Sequence, residues 1–300
     1  MEASRATAVR SPAPLVVRQA VRDYVSLTKP RVQSLLLFTT ACAMFIAGNP
    51  TVELVLATLF GGALSAGGSG AINHWYDRDI DAEMERTADR PVAAGRISPR
   101  AALTFGIVLG AVSVVWLALL VNPLAAALSL AGFLGYSIGY TVFLKRSTWQ
   151  NIVWGGAAGA IPPLVGWAAV TGSVSGLAII LFFIVFFWTP PHFWALSLLM
   201  KDEYEKVGVP MLPVVRGEAE TRRQILLYSV LLYAVTQLPF CVGAVGIVYL
   251  IPSMILGIGL IGLAWNLKRR ADRPAALRLY LFSLLYLAAL FAAMVADVQL

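Results

Sequence analysis

Asn73, Asp77 and Asp81 stand four residues apart in a chain whose surroundings are almost wholly apolar. On a helix each successive side chain of this set is displaced by about 40° and about 6 Å, so one face carries an amide and two carboxylates. Hard oxygen ligands of that kind suit Mg2+, which keeps several waters and shares its shell with substrate phosphates. Asp79, turned about 200° from Asp77, points elsewhere. Immediately downstream, Arg86-Thr87-Ala88-Asp89-Arg90-Pro91 sets two guanidinium groups beside the acids. Arginine grips phosphate oxygens bidentately. Carboxylates for a metal and arginines for phosphate are together what ionisation of an allylic diphosphate needs, because both stabilise charge growing on the leaving group. Alone, a DxxxD pair is more often a solvated, salt-bridged helix end. The neighbouring arginines separate the two readings.

The elements that must position these residues are legible in the hydropathy. Of 300 residues, 59% are apolar and 13% charged, against roughly 45–50% and about 25% in soluble domains, and the mean hydropathy is +0.76. Apolar runs between Pro, Gly and charge clusters give nine spans, near 31–48, 52–73, 101–121, 124–143, 150–170, 174–199, 223–242, 246–266 and 277–296. The fold class is therefore an all-α polytopic membrane protein. The net charge of +7 and pI near 9.6 record orientation against a bilayer rather than nucleic-acid binding. All 23 Lys and Arg fall before or at the entry of odd-numbered spans, whereas the connections around Gly48-Asn49-Pro50, Asn122-Pro123, Thr171-Gly172-Ser173 and Val242-Gly243 carry none. The positive-inside rule then puts the N-terminus in the cytoplasm and the C-terminus outside, in the inner (cytoplasmic) membrane of a cell.

Residues 1–22 are Arg-rich and lack the apolar stretch of a secretory signal, so they read as a short cytoplasmic tail on a single domain spanning 1–300. An organellar transit segment is the rival, and Glu2 and the short length weigh against it. Cys42 and Cys241 lie inside apolar runs and read as small buried hydrophobes. Of the 16 acidic residues only Glu53 and Asp297 fall on the outer side. Ionisable groups crowded at the end of a span are costly unless a cation or ligand neutralises them.

A second loop on the same side, after span six, runs from Pro191-His192-Phe193-Trp194 through Lys201-Asp202-Glu203-Tyr204-Glu205-Lys206 to Gly208-Val209-Pro210-Met211-Leu212-Pro213. Two charged loops, each after the second span of a four-span unit, suggest two pseudo-repeated halves plus a ninth helix. His74 and His192, both near the inner ends of spans, admit a bis-histidine cytochrome as a further reading. A transporter would place ionisable groups near the bilayer midplane, whereas here they stay at one end of the spans.

The string Asn73-x-x-x-Asp77-x-x-x-Asp81 with Met84-x-Arg86-Thr87-x-x-Arg90-Pro91 resembles the intramembrane prenyltransferases of the UbiA superfamily. Leu27-Thr28-Lys29-Pro30-Arg31, Tyr140-Thr141 with Leu144-Lys145-Arg146 and Asn151, and Lys201-Asp202-x-Tyr204 with Gly208-x-Pro210-Met211-Leu212-Pro213 are similar, more narrowly, to its haem-farnesylating branch. The resemblance runs from about residue 23 to 296.

It implies nine helices around a central cavity capped by the two loops, and transfer of the farnesyl group of farnesyl diphosphate to a vinyl group of haem b with addition of water, giving haem O and diphosphate. A downstream haem-modifying enzyme would receive the product. Asn73, Asp77, Asp81 and Asp202 would be the catalytic Mg2+ ligands, and Arg86, Arg90, Lys145, Arg146, Lys201 and Lys206 the diphosphate contacts. His192 would meet the haem, with Trp194 packed on the porphyrin. Many superfamily members carry a second DxxxD pair, but the residue four after Asp202 is Lys206, so Glu203 or Glu205 enters as an assisting ligand. A quinone precursor or chlorophyll-type acceptor is the alternative, and the second-loop string speaks for haem.

Overall fold

The structure, a computed structural model, describes residues 13–300, which are helical apart from short connections. Residues 1–12, the first part of the expected tail, lie outside the described residues. The rest of that tail is not a plain tail: Ala13–Leu27 forms helix α1.

Among the described residues nine helical segments are long and apolar enough to cross a membrane. They are α2 (Pro30–Ala47), α3 (Val52–Tyr76), α5 (Pro99–Leu120), α6 (Pro123–Leu134) with its π-helical continuation Gly135–Leu144, α7 with α8 (Asn151–Gly159 and Ile161–Thr171), α9 (Gly176–Leu199), α12 (Gly217–Cys241), α13 (Ile247–Arg270) and α14 (Arg273–Gln299). Short helices fill the charged connections: α4 (Arg78–Glu83) after the second span, and α10 (Lys201–Lys206) with α11 (Leu212–Val215) after the sixth. Successive traversals put these connections, with 145–150 and 271–272, at one end of the bundle.

The sequence sets the starts. Pro occupies the first turn of α2, α5, α6 and α14, where its missing N–H costs nothing. Ser98, Asn122, Ser175 and Asp272 each accept a first-turn backbone N–H at the start of α5, α6, α9 and α14. The seventh span begins at Gly217 rather than 223, because its polar first turns are held by the Arg222–Glu218 and Arg223–Glu220 pairs and extend past the apolar part.

α3 and α5 approach backbone to backbone: a Cβ added at Gly106 would lie 2.8 Å from the Gly68 carbonyl oxygen, and one at Gly68 2.6 Å from that of Gly106. Small residues are what permit such packing in a bilayer. α9 runs through the core against α7, α8, α12 and α14, and α14 meets α2 to close the ring. Val108, Val112, Val115 and Leu119 make an exposed apolar face on α5, as lipid contact requires. Cys42 is buried, but Cys241 is exposed at the end of α12, contrary to the burial expected of it.

Candidate active site

The acidic string is not one unbroken helix. α3 ends at Tyr76 and α4 starts at Arg78, with Asp77 (φ −84°, ψ 6°) at the junction. The i→i−4 bonds from the Asp77 and Asp81 amides to the Asn73 and Asp77 carbonyls persist at 2.9 and 2.8 Å, so the residue spacing survives the bend. All three side chains are buried.

Each acid is answered by a base from a different element. The Asp77 carboxylate accepts from the Asn73 amide at 2.7 Å and from Lys145 Nζ at 2.5 Å, with Arg146 at 3.4 Å. One guanidinium nitrogen of Arg90 lies 2.7 Å from both oxygens of Asp81. Asn73 has its amide fixed at both ends, its Oδ1 accepting from Lys29 Nζ at 2.5 Å and its nitrogen also donating to Thr141 Oγ1. Asp79 faces outward, 60% exposed, and binds Arg146 at 2.7 Å through both oxygens. That hydrogen bond holds the Asp79 carboxyl down at about 2, and in return pushes the Arg146 guanidinium upward.

Local backbone places the bases. Lys29 is a non-glycine residue in the left-handed region (φ 53°, ψ 55°), in the connection between α1 and α2. Such a conformation costs about 1–2 kcal/mol, and it aims the amine at Asn73. Burial, and then the charges of Arg90 and Lys145, lower this amine to about 7.

The π-helix at Gly135–Leu144 brings residues five apart into line. Tyr136, Thr141 and Arg146, and likewise Tyr140 and Lys145, are therefore presented toward the acids. Asn151 Nδ2 ties down the Lys145 carbonyl at 3.1 Å. Tyr136 and Tyr140 pack ring to ring at 5.4 Å. Tyr204 of α10 lies in the field of Asp77, Arg86 and Arg90, and its burial raises its phenol. Lys29, Thr141, Tyr136, Tyr140 and Tyr204 thus join the cluster without having been assigned roles from sequence. The strings containing Lys29, Tyr140-Thr141 and Tyr204 were the only signal for four of them, and Tyr136 had none.

The second loop divides. Lys206 Nζ donates to the Glu83 carbonyl at 2.9 Å and ties the two loops together. Arg86 is exposed and takes no ion-pair partner among the described residues. Asp202 does not join Asp77 and Asp81: it is exposed and lines a separate polar cavity of about 190 Å³ with Glu218, Arg222, Asp272 and Arg273. Lys201 lines the same cavity and faces Glu218 at 3.6 Å. Helix α10 turns its buried Tyr204 inward instead, and the neighbouring Glu203 Oε2 is buried with no hydrogen-bond partner.

His192 of α9 packs between Trp188 and Tyr280 and bonds Ser283. Trp194, expected on a porphyrin face, is a core residue only 1% exposed, with its ring edge-on to Tyr228. His74 is buried on α3, beside the charges of Lys29 and Arg90 and apart from the packing around His192. The two histidines share no neighbouring side chain among these contacts.

The donor set fits Mg2+ as a shared ion. Asn73, Asp77 and Asp81 offer hard oxygens, yet no group of three or more His, Cys, Asp or Glu residues among the described residues is placed to hold a metal unaided. The remainder of the shell would come from substrate phosphate and water. Arg90, Lys145 and Arg146 are matched by Asp81, Asp77 and Asp79, so the surplus positive charge available to an anionic leaving group is that of the Lys29 amine.

A protein named protoheme IX farnesyltransferase from Chloroflexus aurantiacus is 57% identical over 93% of this chain, which spans about half (48%) of that relative's length. One of the same name from Symbiobacterium thermophilum is 54% identical over 93% of this chain and 95% of its own length. The solved structure of a UbiA homologue from Archaeoglobus fulgidus, bound to GPP and Mg2+, superposes with a TM-score of 0.67 at 18% identity, over 91% of this chain and 99% of that one. With a bent acidic helix ringed by bases at one end of nine spans, and a match to the UbiA prenyltransferase family over residues 36–290, the chain belongs to that family.

Proposed function

We propose that this chain transfers the farnesyl group of farnesyl diphosphate to a vinyl group of haem b. The observation that carries the first half is the pairing of two fully buried carboxylates with separate bases, Asp77 with Lys145 and Asp81 with Arg90, beside three tyrosines. A permanent structural role would not need so many charges at the mouth of an apolar bundle, because isolated buried pairs bring little stability. The names of the relatives speak for haem as acceptor.

Asn73, Asp77 and Asp81, with Glu203 in place of Asp202, would hold Mg2+, which supplies Lewis-acid stabilisation of the leaving diphosphate. Arg90 and Lys145, released from the acids, turn to phosphate oxygens, joined by Arg86, Arg146 and Lys206 from the loop rims. The bond between farnesyl C1 and the bridging oxygen breaks with its electron pair going to diphosphate. Tyr136, Tyr140 and Tyr204 present ring faces and low-polarity walls that favour the allylic cation and keep water from it. The haem vinyl group attacks C1, water adds to the resulting cation, and a proton leaves to solvent.

The charged end faces the cytoplasm, since every Lys and Arg lies on that side of the spans. The product passes to a haem-modifying enzyme. Offering membranes that contain the protein haem b and an aromatic quinone precursor together, with farnesyl diphosphate, tests the acceptor: farnesylated haem alone supports this reading, and a prenylated quinone precursor overturns it.

A further inference from the structure

Ser283 of α14 organises an unusual group of side chains around His192. Its backbone carbonyl accepts the Trp188 indole N–H at 2.7 Å. Its hydroxyl hydrogen is committed to the Tyr280 carbonyl at 2.6 Å. A serine hydroxyl has one hydrogen, so toward His192 Nδ1, 2.7 Å away, Ser283 Oγ is an acceptor and Nδ1 carries the proton. With the hydroxyl hydrogen on the Tyr280 carbonyl, this bonding pattern assigns the imidazole as the Nδ1–H tautomer, with the lone pair on Nε2. Nε2 takes no hydrogen bond from the described residues, nor is it among the buried atoms lacking one.

The ring plane is fixed as well. Trp188 stacks on it at 4.2 Å and 18°, and Tyr280 at 4.8 Å and 26°, so both faces are covered and the Nε2 edge is left for contact. His192 follows Pro190-Pro191 inside α9, where two successive residues withhold the N–H that would bond a carbonyl one turn back. A histidine needed only to fill the core would be served by any tautomer and any satisfied edge. This one has its tautomer set, its plane clamped and its basic nitrogen free, which is how proteins prepare an imidazole for a metal.

We propose that His192 Nε2 is the axial ligand to the iron of the haem acceptor, with Ser283 setting the tautomer and Trp188 and Tyr280 holding the ring. This rests on haem being the acceptor. Coordination needs no electron transfer: the Nε2 lone pair enters an open position on iron and leaves with the product. The iron contact would orient the macrocycle so that one vinyl group is presented to the prenyl cation.

The test compares haem b with metal-free protoporphyrin IX on purified wild type, His192→Ala and Ser283→Ala, with farnesyl diphosphate binding measured on each as proof of a folded site. Wild type should bind haem b at least tenfold more tightly than the porphyrin, with the absorption bands of an imidazole-ligated iron. His192→Ala should erase that preference and those bands, and added imidazole should restore the bands. Ser283→Ala should weaken haem b by about tenfold, the low end of the usual cost of removing a group that orients a metal ligand, with porphyrin affinity unchanged. Haem b bound by His192→Ala with wild-type affinity and spectrum overturns the iron contact while leaving haem as acceptor. A wild type that prenylates another acceptor and not haem overturns the acceptor reading itself.

Discussion

Replacing Asp77 by Ala should damage stability and chemistry by separable routes. The carboxylate is fully buried and accepts from Lys145, itself only 12% exposed, and from Asn73. Removing one partner of a buried pair costs about 3–5 kcal/mol, because the other charge is left without compensation. Lys145 sits close enough to the surface to recover some hydration, so we expect about 3 kcal/mol. At about 2–3 °C per kcal/mol for a chain of this size, the unfolding midpoint should fall by about 6–9 °C. In Asp77→Ala/Lys145→Met the stranded charge is gone as well, and about 2 kcal/mol, or about 4–6 °C, should return as a coupling between the two sites. Turnover should not return: both variants should lose at least about 10²-fold, the scale of removing one preorganised electrostatic group from a transition state. The assay is thermal unfolding of detergent-purified protein followed by tryptophan fluorescence, beside product formation from haem b and farnesyl diphosphate. A double variant that regains activity together with stability would show Asp77 to be a structural counter-ion and refute its catalytic assignment.

Asp79→Ala should be mild, with turnover within a few-fold of wild type, because Asp79 is exposed and engages only the rim residue Arg146; a loss matching that of Asp77→Ala in the same assay would contradict its outward placement. Gly106→Leu should lower the midpoint by several degrees, since even a Cβ there meets the Gly68 carbonyl oxygen at 2.8 Å and the helices must separate, at roughly 1–3 kcal/mol; an unchanged melting curve would mean that α3 and α5 are not in backbone contact. A reporter that works only outside the cytoplasm should be active when fused after Leu300, as nine spans and a cytoplasmic N-terminus require, and activity of a cytoplasm-only reporter at that position would reverse the topology.

The spans were readable because lipid imposes length and hydropathy on every one of them, and Pro, Ser, Asn and Asp mark most of the starts. Asp77 and Asp81 were legible from their spacing together with the arginines just downstream, and that spacing outlives the bend at Asp77 because the i→i−4 bonds on either side are kept. The bases were harder. Lys29 reaches Asn73 across 44 positions through a left-handed backbone that a non-glycine residue rarely adopts, and no local propensity announces it. The π-helix that aligns Tyr136, Thr141 and Arg146 is written in Gly-Tyr-Ser-Ile-Gly-Tyr-Thr, a string equally good for an ordinary helix; tertiary contact with Asn73 and Asp77 selects the wider turn. Asp202 and Trp194 were misplaced for one reason. Motif position says which segment reaches a site, but the rotation of a six-residue helix or of the end of α9 is decided by packing, which turned Tyr204 inward and Trp194 into the core.

In the proposed reaction the Asp77–Asp81 cluster drives capture of a farnesyl cation by haem, followed by water. Purified protein incubated with haem b, farnesyl diphosphate and Mg2+ in water enriched in oxygen-18 tests it in one mass spectrum of the pigment. The expected pigment is haem that has gained one farnesyl group and one labelled hydroxyl, with none formed by Asp81→Ala or after chelation of the metal. Unmodified haem with intact farnesyl diphosphate, or farnesylated haem produced equally well by Asp81→Ala, would contradict it.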